Sequence, residues 1–108
     1  MSAMMWLMAP AWGLTPDRDR LEADVRALSG VDQVDVGEGP VFIVSRNIHH
    51  PDHDVARRWV RIAMEQIPGA TVWEETFEAE GEVVSNVVAE LPGTSPWAPT
   101  VLLGAHYD

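Results

Sequence analysis

The sequence predicts an α/β domain, because segments with helical periodicity alternate with segments typical of strands. Two segments show helical periodicity, and the ranges 34–45 and 72–91 each have the pattern of a β-hairpin. The run 100–105 is apolar without alternation, which is typical of a strand that is buried on both faces of a sheet.

The first predicted helix begins at Thr15, where threonine can cap the helix and Pro16 fits the first helical position. Gly30 predicts its end, because glycine is the common residue just beyond a helix C-terminus. Three apolar residues spaced at i, i+4 and i+7 form one stripe on this helix, namely Leu21, Val25 and Leu28.

The second predicted helix begins near Asp52 or Asp54 and ends before Pro68. Its apolar stripe consists of Val55, Trp59, Ile62, Ala63 and Ile67. Three arginines fall largely on the other side, namely Arg57, Arg58 and Arg61. Ahead of this helix, His49, His50 and His53 form a cluster that we interpret as its loop and cap, because Pro51 prevents one continuous helix through the cluster.

Two hairpins flank the second helix in the sequence. In the first, Val34 and Val36 alternate with polar residues, and a glycine-rich turn leads into a short apolar strand. In the second, residues 72–77 and 83–91 are predicted to pair as antiparallel strands around a polar turn at Glu80 and Gly81. Glu74 and Glu75 lie in this hairpin, and we interpret them as a solvated pair of carboxylates.

Composition excludes several kinds of chemistry. The chain has a net charge of −10, so nucleic acid and anionic membrane surfaces are poor partners. It contains no cysteine and no lysine, which excludes thiol nucleophiles, disulfides, the P-loop lysine and Schiff-base chemistry. All eight charged residues beyond Arg61 are acidic, which fits either a solvated face or a surface that favours a cationic ligand such as a free amino terminus.

Residues 1–13 are apolar, rich in Met and Trp, and carry no charged side chain. The segment is too short to span a bilayer, and no membrane span is expected. We predict a signal peptide cleaved near Ala9 and Ala11, although its basic start is missing, and therefore a secreted or periplasmic protein. A disordered tail and a segment docked on the core are the alternatives.

His106 and Asp108 directly follow the apolar run 100–105. Side chains two residues apart in extended chain point to the same side, so this pair would face one way and Tyr107 the other. A histidine that binds a metal usually donates its second ring N–H to a carboxylate, and His-x-Asp can build that pair locally. The alternative is a histidine that is only hydrogen-bonded to a nearby acid.

Residues 86–93 (NVVAELPG), a proline-containing loop and residues 100–108 (TVLLGAHYD) together resemble the MH-clan metallopeptidases with co-catalytic zinc. That family includes bacterial leucyl aminopeptidases, glutamate carboxypeptidase II and the glutaminyl cyclases. The specific match covers about residues 83–108. The resemblance implies a three-layer α/β/α zinc-peptidase fold with a mixed sheet, of which residues 14–108 would be the N-terminal portion. We expect the sequence to be the truncated front part of that fold.

The resemblance also implies roles for two residues. His106 would be the first zinc ligand, and Asp108 would be the active-site carboxylate that orients it. Two zinc ions and a peptide substrate are expected for the complete enzyme, with the remaining ligands and the general base downstream. The resemblance implies an aminopeptidase, which hydrolyses peptide bonds at the N-terminus of its substrates. We expect the isolated 108 residues to lack this activity. A glutaminyl-cyclase-like fragment that uses one zinc, and a small non-catalytic acidic module, are the alternatives.

Overall fold

Residues 15–108 are described by the computed structural model, and they combine helices with antiparallel strand pairs. In chain order the elements are α1 (Arg18–Leu28), β1 (Val34–Asp35), β2 (Pro40–Val41), α2 (Asp52–Glu65), β3 (Thr71–Ala79) and β4 (Glu82–Glu90). The predicted α/β class is therefore confirmed. Within this range no helix has the length and apolar character needed to cross a membrane. The predictions for residues 1–13 lie outside the described residues.

Helix α1 begins later than predicted and ends where predicted. Its N-cap is Asp17, whose Oδ1 accepts a hydrogen bond from the backbone N–H of Arg20 at 3.1 Å. Thr15 is therefore not the cap. At the other end Gly30 adopts φ +77° and donates to the carbonyl of Ala27 at 3.2 Å, in the left-handed conformation that terminates helices. A Cβ on residue 30 would also clash with the carbonyl of Ile43.

The first hairpin is shorter than predicted. Its strands pair only through Val34 with Val41 and Asp35 with Pro40. The Asp35 carboxylate closes the turn, because its Oδ1 accepts from the backbone N–H groups of two glycines in the turn. Beyond β2 the chain leaves the ladder: the N–H of Val44 donates to Oδ2 of Asp52 at 2.8 Å instead of to a strand.

The second hairpin is confirmed in full. Strands β3 and β4 pair antiparallel from Thr71 with Glu90 to Ala79 with Glu82. The two turn residues, Glu80 and Gly81, have φ of 51° and 81°. Two successive positive φ angles define the type I′ turn, whose twist matches that of paired strands. Helix α2 packs against this hairpin.

A small core joins α1, the first hairpin and α2. Its buried residues are Ala27, Val34, Ile43 and Ala56, and Leu28, Val55, Trp59 and Tyr107 pack against them. The predicted stripe of α1 is wrong in two positions, because Leu21 and Val25 are 53% and 65% exposed. Helix α1 is rotated so that Ala27 faces the core instead.

The predicted strand at 100–105 is not formed in the described structure. Its central side chains are almost fully exposed, at 79% for Val101, 89% for Leu102 and 91% for Leu103. A buried strand needs hydrogen-bonded neighbours, and the sheets of residues 15–108 are two separate antiparallel pairs. The mixed sheet and the three-layer arrangement are therefore not present in this part of the chain.

Candidate functional site

The structure brings His106 and Asp108 together. Nδ1 of His106 lies 3.1 Å from Oδ1 of Asp108. An ionised carboxylate can only accept, so in a neutral imidazole this contact favours the tautomer that has the proton on Nδ1 and the lone pair on Nε2. The His106 side chain is 94% exposed, which leaves Nε2 open to a ligand. A metal-binding histidine and its orienting carboxylate have this arrangement, and so does a histidine that is only hydrogen-bonded to an acid.

Tyr107 points the other way, into the protein, as its position in an extended segment predicts. Its hydroxyl donates to the carbonyl of Ser85 at 2.5 Å, and its ring stacks on His53 with the centroids 5.2 Å apart. Its own carbonyl accepts from Nη1 of Arg46 at 3.2 Å. Burial raises the pKa of Tyr107 above its ordinary value of 10.0, so the hydroxyl remains a donor at neutral pH. We call these four residues the Tyr107 anchor.

His53 is the residue of the anchor that sequence reasoning misplaced. It lies in the first turn of α2 and is only 7% exposed, which contradicts its predicted position in the loop and cap with His49 and His50. Its Nδ1–H donates to the carbonyl of Arg46 at 2.8 Å, while Nε2 is buried without a partner among the described residues. The sequence carries no signal for this burial, because His53 lies outside the predicted apolar stripe of the helix.

The two other histidines of that cluster match the interpretation as loop and cap. Nδ1 of His50 accepts from the backbone N–H of Asp52 at 3.0 Å, at the start of α2. His49 lies in the preceding turn, with its Nδ1 3.3 Å from Oε1 of Glu82. Neither residue contributes to the His106–Asp108 pair.

The anchor supplies the order that the exposed pair cannot supply alone. An exposed contact between a histidine and a carboxylate is worth no more than an exposed ion pair, about 0–1 kcal/mol, whereas fixing the backbone of one residue costs about 1–2 kcal/mol. Each hydrogen bond of Tyr107 can contribute about 0.5–1.5 kcal/mol, and its ring contact with His53 a similar amount. The position of His106 and Asp108 therefore depends on the residue between them.

Glu74 is not a solvated carboxylate, which corrects the interpretation of the Glu74–Glu75 pair. Its two oxygens accept from Nη1 of Arg57 and Nη1 of Arg61, each at 2.7 Å, and its side chain is 17% exposed. Burial raises the pKa of Glu74, but the hydrogen bonds from Arg61 and Arg57 outweigh it and hold the pKa below its ordinary value of 4.5. Glu75 is exposed, as predicted. Glu74 thus connects β3 to α2.

The described residues fit one part of a zinc site. Catalytic zinc needs three protein ligands, and no group of three His, Asp or Glu able to hold a metal ion occurs in residues 15–108. His106 and Asp108 fit one ligand and its orienting carboxylate. Two clefts, of about 250 Å³ between α1 and α2 and about 190 Å³ between α2 and β4, lie elsewhere and are lined by neither residue.

Comparison of the chain with protein-family models, with curated proteins and with solved structures finds no match. The His106–Asp108 pair and the sequence around it are therefore the basis for a proposed function.

Proposed function

We propose that this chain is the N-terminal part of a zinc-dependent metallopeptidase of the aminopeptidase type. The observation that carries the proposal is the hydrogen bond between Nδ1 of His106 and Oδ1 of Asp108, beside an exposed Nε2. The resemblance of residues 83–108 to the co-catalytic zinc peptidases supports it, because the pair occurs at the position of that family's first ligand.

In this proposal His106 would hold one zinc ion through Nε2. Asp108 would accept the Nδ1–H and so fix the tautomer and the ring orientation. Bound zinc would supply a water of lowered pKa and would polarise the carbonyl of the peptide bond. The other ligands, the second zinc ion and the general base belong to chain beyond residue 108.

Two further features support the proposal. The exposed apolar side chains of 101–103 are those of a strand that the complete three-layer fold would bury. The exposed acidic residues of β3 and β4, namely Glu75, Glu78 and Glu90, favour a cationic ligand, and the free amino terminus of a peptide is such a ligand. Secretion, proposed from the apolar residues 1–13, is compatible with a peptidase that acts on external peptides.

The test is to express the complete reading frame that contains these residues and to measure hydrolysis of leucine p-nitroanilide. We expect activity that a chelator removes and added zinc restores. His106→Ala should abolish it, whereas His49→Ala, at an exposed histidine away from the pair, should retain it. Equal activity in both variants, or activity indifferent to the chelator, would contradict the proposal and favour the non-catalytic alternative.

The isolated chain of 108 residues is expected to be inactive in the same assay, even with zinc added. The reason is that one histidine cannot replace three protein ligands. Chelator-sensitive turnover by this chain alone would show that its site is more complete than we propose.

A further inference from the structure

We propose that Arg46 and His53 are positioning residues that hold the His106–Asp108 pair in its geometry through Tyr107. The use of the pair in catalysis rests on the proposed function. The positioning itself is a property of this chain and can be measured without zinc or substrate.

The His106–Asp108 pair needs contacts from elsewhere in the fold to hold it in place, because the residues next to it in the chain are exposed and pack against little. The side chains of 101–103 are almost fully exposed on one side of it, and His106 is itself 94% exposed. Tyr107, in contrast, packs against the core cluster and forms hydrogen bonds to residues 22 and 61 positions earlier in the chain. Tyr107 therefore fixes the last residues of the described chain to the domain.

Arg46 acts on the peptide unit that joins Tyr107 to Asp108. Its Nη1 donates to the carbonyl of Tyr107, and the atoms of that peptide unit lie in one plane. Holding the carbonyl therefore restricts the orientation of the Cα that carries the Asp108 side chain. With Tyr107 directed inward, His106 and Asp108 must both be directed outward on the same side.

His53 supports the same contact in two ways. Its ring lies against the Tyr107 ring with an angle of 27° between the two planes. Its Nδ1–H donates to the carbonyl of Arg46, which fixes the backbone from which the arginine side chain reaches Tyr107. Because His53 is buried in the first turn of α2, the helix provides a rigid base for both contacts.

The readout is the tautomer of His106, observed by nuclear magnetic resonance of the full chain labelled with ¹⁵N-histidine and ¹³C-tyrosine. Tyr107 is the only tyrosine and there are four histidines, so the signals can be assigned by single substitutions. In the native chain we expect His106 as the Nδ1–H tautomer, and Tyr107 ring signals displaced by the neighbouring imidazole. A native His106 in the Nε2–H form would overturn the proposal.

Four variants separate the contacts. Arg46→Met removes the donor to the Tyr107 carbonyl and should abolish the Nδ1–H form of His106, whereas Arg46→Lys, which keeps a donor, should restore it at least in part. His53→Asn keeps a donor for the Arg46 carbonyl and removes the ring, so the displacement of the Tyr107 signals should be lost. His49→Asn is the matched control and should change neither signal.

The amide signals of β3 and β4 report whether each variant is folded. Should Arg46→Met or His53→Asn fail to fold, Tyr107→Leu removes the ring that stacks on His53 and the hydroxyl that donates to Ser85. It keeps the backbone carbonyl that accepts from Arg46, and it should also reduce the Nδ1–H form of His106. An unchanged tautomer in folded Arg46→Met, or in Tyr107→Leu, would overturn the proposal. Absence of peptidase activity would contradict only the proposed function, since this readout involves no metal.

Discussion

The contact between Glu74 and two arginines makes a sharp prediction about stability. Glu74→Gln removes the charge and replaces one carboxylate oxygen by an amide N–H₂ that faces an arginine donor. Because Oε1 and Oε2 are both used, at 2.7 Å to Arg57 and 2.7 Å to Arg61, glutamine cannot satisfy both guanidinium groups. The substitution keeps the size of the side chain, so packing changes little.

The magnitude follows from the contacts that are lost and those that remain. Hydrogen bonds to charged groups contribute about 1.5–3 kcal/mol each, and glutamine retains one acceptor. Arg57 keeps Asp54 as a partner and Arg61 keeps Glu65, so neither guanidinium is left without a carboxylate. We therefore expect a loss of about 2 kcal/mol in the free energy of unfolding, which is a factor of about 30 in the unfolding equilibrium constant.

The assay is urea unfolding of the full chain with Glu75→Gln as the matched control. Glu75 is the next residue of β3 and is exposed, so its substitution should change stability by less than about 0.5 kcal/mol. A double-mutant cycle that combines Glu74→Gln with Arg61→Met measures the coupling energy between the two side chains directly. Equal effects of Glu74→Gln and Glu75→Gln would refute the assignment of Glu74 as an ion-paired connection between β3 and α2.

The same contact predicts a dependence on pH. Arginine donors hold the native pKa of Glu74 below 4.5, so the unfolded chain binds a proton more readily than the native chain. The contribution of Glu74 to stability is therefore complete above pH 4.5, the ordinary pKa of a glutamate, and is lost as the pH falls through the native pKa. As the pH falls below 4.5, the stability of the native sequence should fall more steeply than that of Glu74→Gln. Parallel curves would contradict the lowered pKa.

Two backbone positions give further predictions. Gly30→Ala should cost at least about 2 kcal/mol, because alanine is strained at φ +77° and its Cβ meets the carbonyl of Ile43. Urea unfolding measures it, and a cost below about 0.5 kcal/mol would contradict the close approach. Glu80→Asn should raise stability by up to about 1 kcal/mol, because asparagine tolerates the left-handed conformation that Glu80 adopts at φ 51°. A thermal midpoint below that of the native chain would count against the type I′ turn.

The sequence predicts those elements whose determinants are local. The β3–β4 hairpin is determined by strand-forming residues on both sides of Glu80 and Gly81, and the end of α1 by Gly30, and both are confirmed. The orientation of His106 and Asp108 is also local, because it follows from the two-residue repeat of extended chain.

The predictions that failed concern contacts between distant residues. Glu74 is shielded from solvent because α2 presents Arg57 and Arg61 to β3. The four-residue spacing of these arginines places them on one helix face and was the signal that both could donate to one carboxylate. The prediction that the apolar stripe of α1 faces the core failed because the rotation of a helix about its axis is set by its packing partner. The prediction of a buried strand at 100–105 failed because such a strand needs hydrogen-bonded neighbouring strands, and the described residues place none beside it.

The candidate site shows how local pattern and distant packing combine. The sequence supplies a histidine and a carboxylate at the spacing that lets them meet, but an exposed pair is too weak to order its own backbone. The residue between them belongs to the core: Tyr107 packs against the cluster that also contains Ala56 of α2. The pair is consequently ordered by α2, by β4 and by the loop that carries Arg46, although none of these contributes an atom to it. A substitution that weakens this core should therefore disturb the pair in the folded chain, before the chain unfolds.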